Sequence, residues 1–243
     1  MRGGILWSGG KDSVLALHRA RKSGIDVRYA FVFYYREMVF PPLPETIIAQ
    51  CEALSLTPII LETDMVTVDN VVRHAIATQQ LKLDCLIYGE GQIAGDIRWF
   101  NGFCKLLNVT PILPNFKVSI AESMQYLFDN KFKFIITRHN HVFTDTELQF
   151  KAIEYTPEMF QYVKDTHKNL GSAPFGPASS CQTFVYDGPD FTHPINVYVE
   201  NKKRGRVKLL TTSAHSEEPQ HILPSELVLS RLYNEGKHID PTS

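Results

Sequence analysis

Ser8-Gly9-Gly10-Lys11-Asp12-Ser13 constrains this chain more than any other segment. It follows the apolar run Gly4-Ile5-Leu6-Trp7 and precedes Val14-Leu15-Ala16-Leu17-His18-Arg19-Ala20. The segment therefore reads as a strand, a tight polar turn and a helix. Adjacent glycines let the backbone approach an anion closely. The turn's amides and the helix N-terminus then point at that anion. Ser8 and Ser13 add hydroxyl donors and Lys11 a positive charge. Together these groups suit capture of a polyphosphate.

Neither common phosphate motif explains the turn. A Walker A loop needs a first glycine where Ile5 stands, and Ser or Thr where Asp12 stands. The dinucleotide pattern Gly-x-Gly-x-x-Gly does not occur in this turn. An ordinary Gly-Gly turn remains the plain alternative, but it gives no reason for Ser, Lys, Asp and Ser in that order.

After an N-terminal strand, Ser-Gly-Gly-Lys-Asp-Ser resembles the PP-loop of the N-type ATP pyrophosphatases. That resemblance implies ATP cleavage between the α- and β-phosphates, with AMP passed to a substrate oxygen. It also implies the fold class: an α/β, adenine nucleotide alpha hydrolase-like (HUP-type) parallel sheet with helices on both faces. A smaller C-terminal α+β region is expected beside it. The motif is specific for the superfamily but not for one reaction.

The chain has 243 residues, enough for one sizeable domain or a domain with an appendage. With 44% hydrophobic and 21% charged residues, the composition is that of an ordinary globular protein. A net charge of −1 gives no global field toward nucleic acid or anionic membrane. No apolar run is long enough for a membrane span. A cleavable leader would destroy the turn, so none is expected. Cys51, Cys85, Cys104 and Cys181 are widely spaced, which predicts reduced thiols and a cytoplasmic protein. The same spacing argues against a zinc knuckle or an iron–sulfur cluster.

Strand-like and helix-like segments alternate from Gly3 to Thr137. Such alternation implies a parallel sheet whose ligands sit beyond the carboxyl ends of its strands. The loops after Trp7, Tyr35, Glu62, Gly89 and Leu113 should then line one crevice. The pattern changes near residue 140. Pro157–Leu170 reads as a helix, and Ile195–Glu200 and Val207–Thr212 read as a hairpin. Ser225–Tyr233 reads as a short helix. The expected division is a nucleotide-binding domain over 1–140 and a smaller substrate-side region over 141–243.

Later segments narrow the resemblance. Residues 85–116, from Cys85-Leu86-Ile87-Tyr88-Gly89-Glu90 to Pro114-Asn115-Phe116, are similar to the diphthine–ammonia ligase family. There a strand ends in Gly-Asp/Glu, an Arg-bearing helix follows, and an apolar strand leads to Pro-Leu-Trp. Phe132-Lys133-Phe134-Ile135-Ile136 looks like that family's Gly-Phe-Lys-Ala-Ile-Ile strand. Thr183-Phe184-Val185-Tyr186-Asp187-Gly188-Pro189-Asp190-Phe191 is similar to its Thr-Phe-Val-x-Asp-Gly-Pro-Leu-Phe. One stretch departs from the pattern. The family's Gly-Glu-x-Gly-Glu is replaced by Gly176-Pro177-Ala178-Ser179-Ser180, so both acids are lost. A divergent member, acting on something other than the family's substrate, is therefore expected.

The resemblance implies an ATP-dependent ligase. It would adenylate a substrate carboxylate, release pyrophosphate and form an amide with ammonia or another amine. Ser8, Gly9, Gly10, Lys11 and Ser13 would hold ATP, with Lys11, Asp12 and Ser13 serving catalysis. Asp12 would also ligate Mg²⁺, a role favoured over the alternative of a first-turn helix carboxylate. Gly89, Glu90, Asp96, Arg98, Ser179, Ser180 and Thr183 would face the substrate. For Arg98 a surface salt bridge is the alternative. The carboxylate substrate is unidentified and could be protein-borne, and a homodimer is one expected assembly. His139-Asn140-His141 and Lys202–Arg206 read as a polar strand exit and a solvated hairpin tip. The competing readings are a PP-loop tRNA-modifying enzyme and a degenerate ATP-binding module.

Overall fold

The computed structural model describes residues 1–35, 44–64, 67–78, 80–91, 93–138, 152–167, 181–202, 206–211, 222 and 224–236. They cluster into two compact units. The first comprises Met1–Ser119 with Asp187–Ile195, and the second comprises Ile120–Tyr186 with Asn196–Ser243.

The first unit is an α/β sandwich. Strands β1 (Arg2–Trp7), β2 (Asp26–Tyr35), β3 (Thr57–Thr63), β4 (Cys85–Ile87) and β5 (Thr110–Ile112) form one sheet in the order β3-β2-β1-β4-β5. Every pairing in it is parallel. Helices α1 (Lys11–Lys22), α2 (Pro44–Ala53), α3 (Val68–Thr78) and α4 (Ala94–Leu107) connect successive strands. Right-handed crossovers then place α1 and α2 on one face and α3 and α4 on the other. The α3–α4 face is a core of Leu6, Phe31, Ile59, Leu61, Val72, Leu86, Phe100 and Phe103. Pro58 and Pro111 fall in β3 and β5, the edge strands, where a missing N–H is tolerated.

The second unit contains α5 (Ile120–Asp129), β6 (Lys133–Arg138), β7 (Ile153–Glu154), α6 (Pro157–Thr166), β8 (Gln182–Asp187), β9 (Val197–Lys202), β10 (Arg206–Thr211) and α7 (Ser225–Gly236). β6 joins a three-stranded sheet in the order β7-β6-β8 rather than extending the parallel sheet. Its pairing with β7 is antiparallel. The expected hairpin is present as β9–β10, antiparallel in the register Arg206↔Lys202 to Thr211↔Val197. Stacked rings of Phe128, Phe134 and Tyr155, with Phe160 tilted against them, form an aromatic core. Thr156 caps α6 by accepting from the Met159 amide, and Pro157 begins the helix. Among the described residues no helix is long and apolar enough to cross a membrane.

Candidate nucleotide site

The order β3-β2-β1-β4-β5 reverses direction between β1 and β4. Connections from β1 lead to one side of the sheet and those from β4 to the other, which opens a crevice at the carboxyl ends of that pair. The Ser8–Ser13 turn leaves β1 there, and Tyr88–Ile93 leaves β4 beside it.

Buried Ile5, Leu6 and Trp7 anchor β1 up to its last residue. The chain then turns at Gly9, whose φ of 75° is a conformation that favours glycine. Gly10 is the N-cap of α1, with extended backbone and no side-chain cap. The first-turn amides of α1 thus have no capping oxygen from Gly10, as an anion site requires.

The side chains of the turn pack around it. Ser13 is buried, and its hydroxyl donates to the Gly10 carbonyl at 2.9 Å. It also lies 3.2 Å from the Ser8 hydroxyl. Lys11 is 4% exposed, and its Nζ donates to Asp12 Oδ2 at 2.6 Å. The Asp12 side chain is 58% exposed, so the pair presents its carboxylate outward and keeps its ammonium inside.

Two buried amides that the sequence did not single out hold this arrangement. Gln50, on α2, donates through Nε2 to the Gly9 carbonyl at 2.9 Å. Its Oε1 accepts from the Trp7 indole at 3.0 Å, so one side chain ties the end of β1 to the turn that follows. Asn115, after β5, donates through Nδ2 to the carbonyls of Asp12 at 3.0 Å and Gly89 at 2.8 Å.

The loop after β4 meets the turn backbone to backbone. A Cβ on Gly89 would lie 2.8 Å from the carbonyl carbon and oxygen of Asp12, and 2.9 Å from the Ser13 amide. Glu90 Oε1 accepts from the amides of Gly91 at 2.8 Å and Ile93 at 3.0 Å. One oxygen of Glu90 thus shapes the loop that leads into α4. Asp96 lies half-buried in the first turn of α4. Arg98 is exposed on the same helix and makes no ion pair among the described residues.

The structure therefore brings Ser8, Gly9, Gly10, Lys11, Asp12 and Ser13 together with Gly89 and Glu90. Thr183 lies half-buried on β8, in the second unit. Ser179 and Ser180 lie outside the described residues, as do His139, Asn140, His141 and the 203–205 tip of the hairpin. Cys181 is buried. Phe31 is fully buried core, while Tyr34 is half-buried.

Residues 1–111 match the family model described as the diphthamide synthase N-terminal domain. No curated protein sequence matches the chain. Among solved structures, one similar chain is a predicted subunit of tRNA methyltransferase from Methanocaldococcus jannaschii. It is 14% identical at a TM-score of 0.41, over 80% of this chain and 100% of that one. Another is the U34-tRNA thiolase NcsA from Methanococcus maripaludis with its 4Fe–4S cluster. It is 15% identical at a TM-score of 0.37, over 53% of this chain and 56% of that one. The match runs from β1 into β5, the part of the sheet that carries the Ser8–Ser13 turn and the loop beyond Gly89. Over residues 1–111, a little under half of its length, the chain is thus similar to the diphthamide synthase N-terminal domain.

Proposed function

We propose that this protein is an ATP-dependent ligase. It cleaves ATP to AMP and pyrophosphate, adenylates a substrate carboxylate and passes the acyl group to ammonia or another amine. PP-loop family members are ATP-using enzymes, and that coarser activity rests on the family match. The observation that supports the site is the uncapped N-terminus of α1 at the β1–β4 switch point, with the Ser8–Ser13 turn wrapped ahead of it.

Turn amides, Ser8 and Ser13 would take the β- and γ-phosphate oxygens. Lys11 would exchange its Asp12 partner for phosphate as the nucleotide enters. Asp12 would then be free to meet Mg²⁺. Its exposed oxygen donor suits that hard cation. Among the described residues no cluster of three or more His, Cys, Asp or Glu could cage a metal. An ion held here would thus take its other ligands from phosphate and water, and it would offset charge on the departing pyrophosphate. In the first step a carboxylate oxygen attacks the α-phosphorus, and the bond to the bridging oxygen of pyrophosphate breaks. In the second step an amine attacks the acyl carbon, AMP leaves and the amine proton passes to solvent. Fixed donors that meet the leaving oxygens would supply most of the acceleration.

Residues 1–140 would carry this nucleotide chemistry, and residues 141–243 the substrate side. Gly89, Glu90, Asp96 and Arg98 would line the approach, with Ser179, Ser180 and Thr183 contributing from the later region. The proposed compartment is the cytoplasm and the proposed assembly a homodimer, which light scattering would measure.

The test is turnover of α-³²P-ATP with Mg²⁺, with and without an ammonium salt and cell extract. Labelled AMP that disappears in Lys11→Ala and Asp12→Ala, and on chelation of Mg²⁺, supports the ligase. Labelled ADP overturns α–β cleavage. Tight ATP binding with no AMP in any extract favours the degenerate module. AMP formation stimulated by bulk tRNA, but not by the protein fraction, favours base adenylation instead.

A further inference from the structure

Asn115 is 5% exposed and lies 103 residues beyond the turn it touches. A primary amide carries a pair of N–H donors and one oxygen. Here all three are engaged. Nδ2 gives one hydrogen to the Asp12 carbonyl at 3.0 Å and the other to the Gly89 carbonyl at 2.8 Å. Oδ1 accepts from Arg19 Nη1 at 2.9 Å. The guanidinium only donates, so the amide has one sensible orientation: reversed, it would set N–H against N–H and oxygen against carbonyl. The same residue blocks the neighbouring loop, since a Cβ on Gly91 would collide with the Asn115 carbonyl.

The partners come from separate parts of the site. Asp12 belongs to the nucleotide turn and first turn of α1, and Gly89 begins the loop after β4. Arg19 lies on α1 and also donates to the Pro114 carbonyl at 3.4 Å. The backbones of the first pair are already in contact, as the Gly89 environment shows. Asn115 supplies a donor to both carbonyls at once, and without it the buried bond to the Gly89 carbonyl would go unmade, which is costly. One side chain thus ties the two loops together.

We propose that Asn115 is a positioning residue that couples the nucleotide turn to the loop after β4, so that occupancy of one orders the other. The inference rests on the nucleotide reading above and deepens it. Phosphates drawn onto the first turn of α1 fix Asp12, and the shared amide transmits that order to Gly89–Ile93, where substrate would arrive. Such alignment matters because small misplacement of reacting groups can cost about 100-fold in rate. Gln50 holds Gly9 independently, so the turn keeps its shape when Asn115 is changed.

Hydrogen exchange read by mass spectrometry tests this on the full-length protein, with α,β-methylene-ATP and Mg²⁺ as the probe. In the wild type the analogue should slow exchange roughly tenfold over both 8–14 and 88–93. In Asn115→Leu, protection of 8–14 should persist while that of 88–93 is lost. Asn115→Asp keeps the shape and the Arg19 acceptor but not the donors, and should give the same result if the leucine variant fails to fold. A merely structural role would raise exchange in both loops without separating their responses to nucleotide. Equal protection of 88–93 in wild type and variants overturns the coupling and leaves the nucleotide reading intact. Protection of 8–14 alone in the wild type does the same. No protection of either loop in the wild type overturns the nucleotide reading and the coupling with it.

Discussion

At the scale of single residues, glycine and amide positions decide whether the turn can work. A Cβ at Gly89 would press on backbone atoms of Asp12 and Ser13, which have no rotamer to escape into. Overpacking of this kind costs about 1–3 kcal/mol, and here the strain falls on the turn proposed to hold phosphate. Gly89→Ala should weaken α,β-methylene-ATP binding by more than roughly tenfold in a calorimetric titration. Affinity equal to wild type would mean the close approach is incidental. Gln50→Ala makes a different prediction. It strips a buried indole N–H and the Gly9 carbonyl of their shared partner. That should cost about 2–4 kcal/mol in urea unfolding, from a buried donor and acceptor left unmatched. The Ser8–Ser13 turn was legible in the sequence because its residues are contiguous and their order is chemical. Gln50 and Asn115 were not, because they act from 41 and 103 residues away and an amide carries no spacing signal.

Elements tell a similar story of strong local pattern and weak long-range information. The alternation of strands and helices through β5 follows from hydrophobic periodicity and was readable. The partner of β6 was not. Periodicity marks a strand without saying which sheet it enters, and β5 is three residues with Pro111 at its centre and mostly exposed side chains, a poor template for a further neighbour. β7, at two residues, is too short to leave a pattern. Helix ends show where this fold is strained. Ser55, Gln80, Asn108 and Lys131 follow α2, α3, α4 and α5 with φ between 51° and 59°, and none is glycine. Each is followed by an amide that reaches back into the last turn, as in the bond from Phe132 N–H to the Leu127 carbonyl at 3.0 Å. An L-residue held in this region loses roughly 1 kcal/mol relative to glycine. Lys131 is exposed and its side chain has little packing to lose. Lys131→Gly should therefore stabilise the protein by about 0.5–1 kcal/mol, seen as a higher urea midpoint. A lower midpoint would show that the lysine makes a compensating contact.

At the scale of the whole molecule, the chain's path matters more than any one element. Residues 187–195 leave the end of β8 and enter the first unit. They are held there by Asp190, whose Oδ2 lies 2.7 Å from His18 Nδ1, and by Thr192, whose amide donates to the Ala53 carbonyl at 2.7 Å. His18 lies buried on α1, the helix whose first turn is proposed to meet the nucleotide. Asp190 also lends a favourable field to Arg21, where burial outweighs it and lowers the guanidinium pKa. The pair thus fastens a late segment to the helix of the first motif. Buried thiols report on this arrangement. Cys51, Cys85 and Cys104 all lie in the first unit, and burial raises each, Cys51 and Cys104 to about 12. Near pH 8 they are protonated and sealed, so alkylation waits for the unit to open. Asp190→Ala removes a hydrogen bond to a buried imidazole and should cost about 2 kcal/mol. At a urea slope of about 2 kcal/mol per molar, labelling of Cys51 should begin about 1 M earlier. Cys181 belongs to the second unit, none of whose contacts the substitution removes, so its midpoint should move less. Equal shifts at Cys51 and Cys181 would show one cooperative structure, and no shift at either would show that the segment docks without the His18–Asp190 pair.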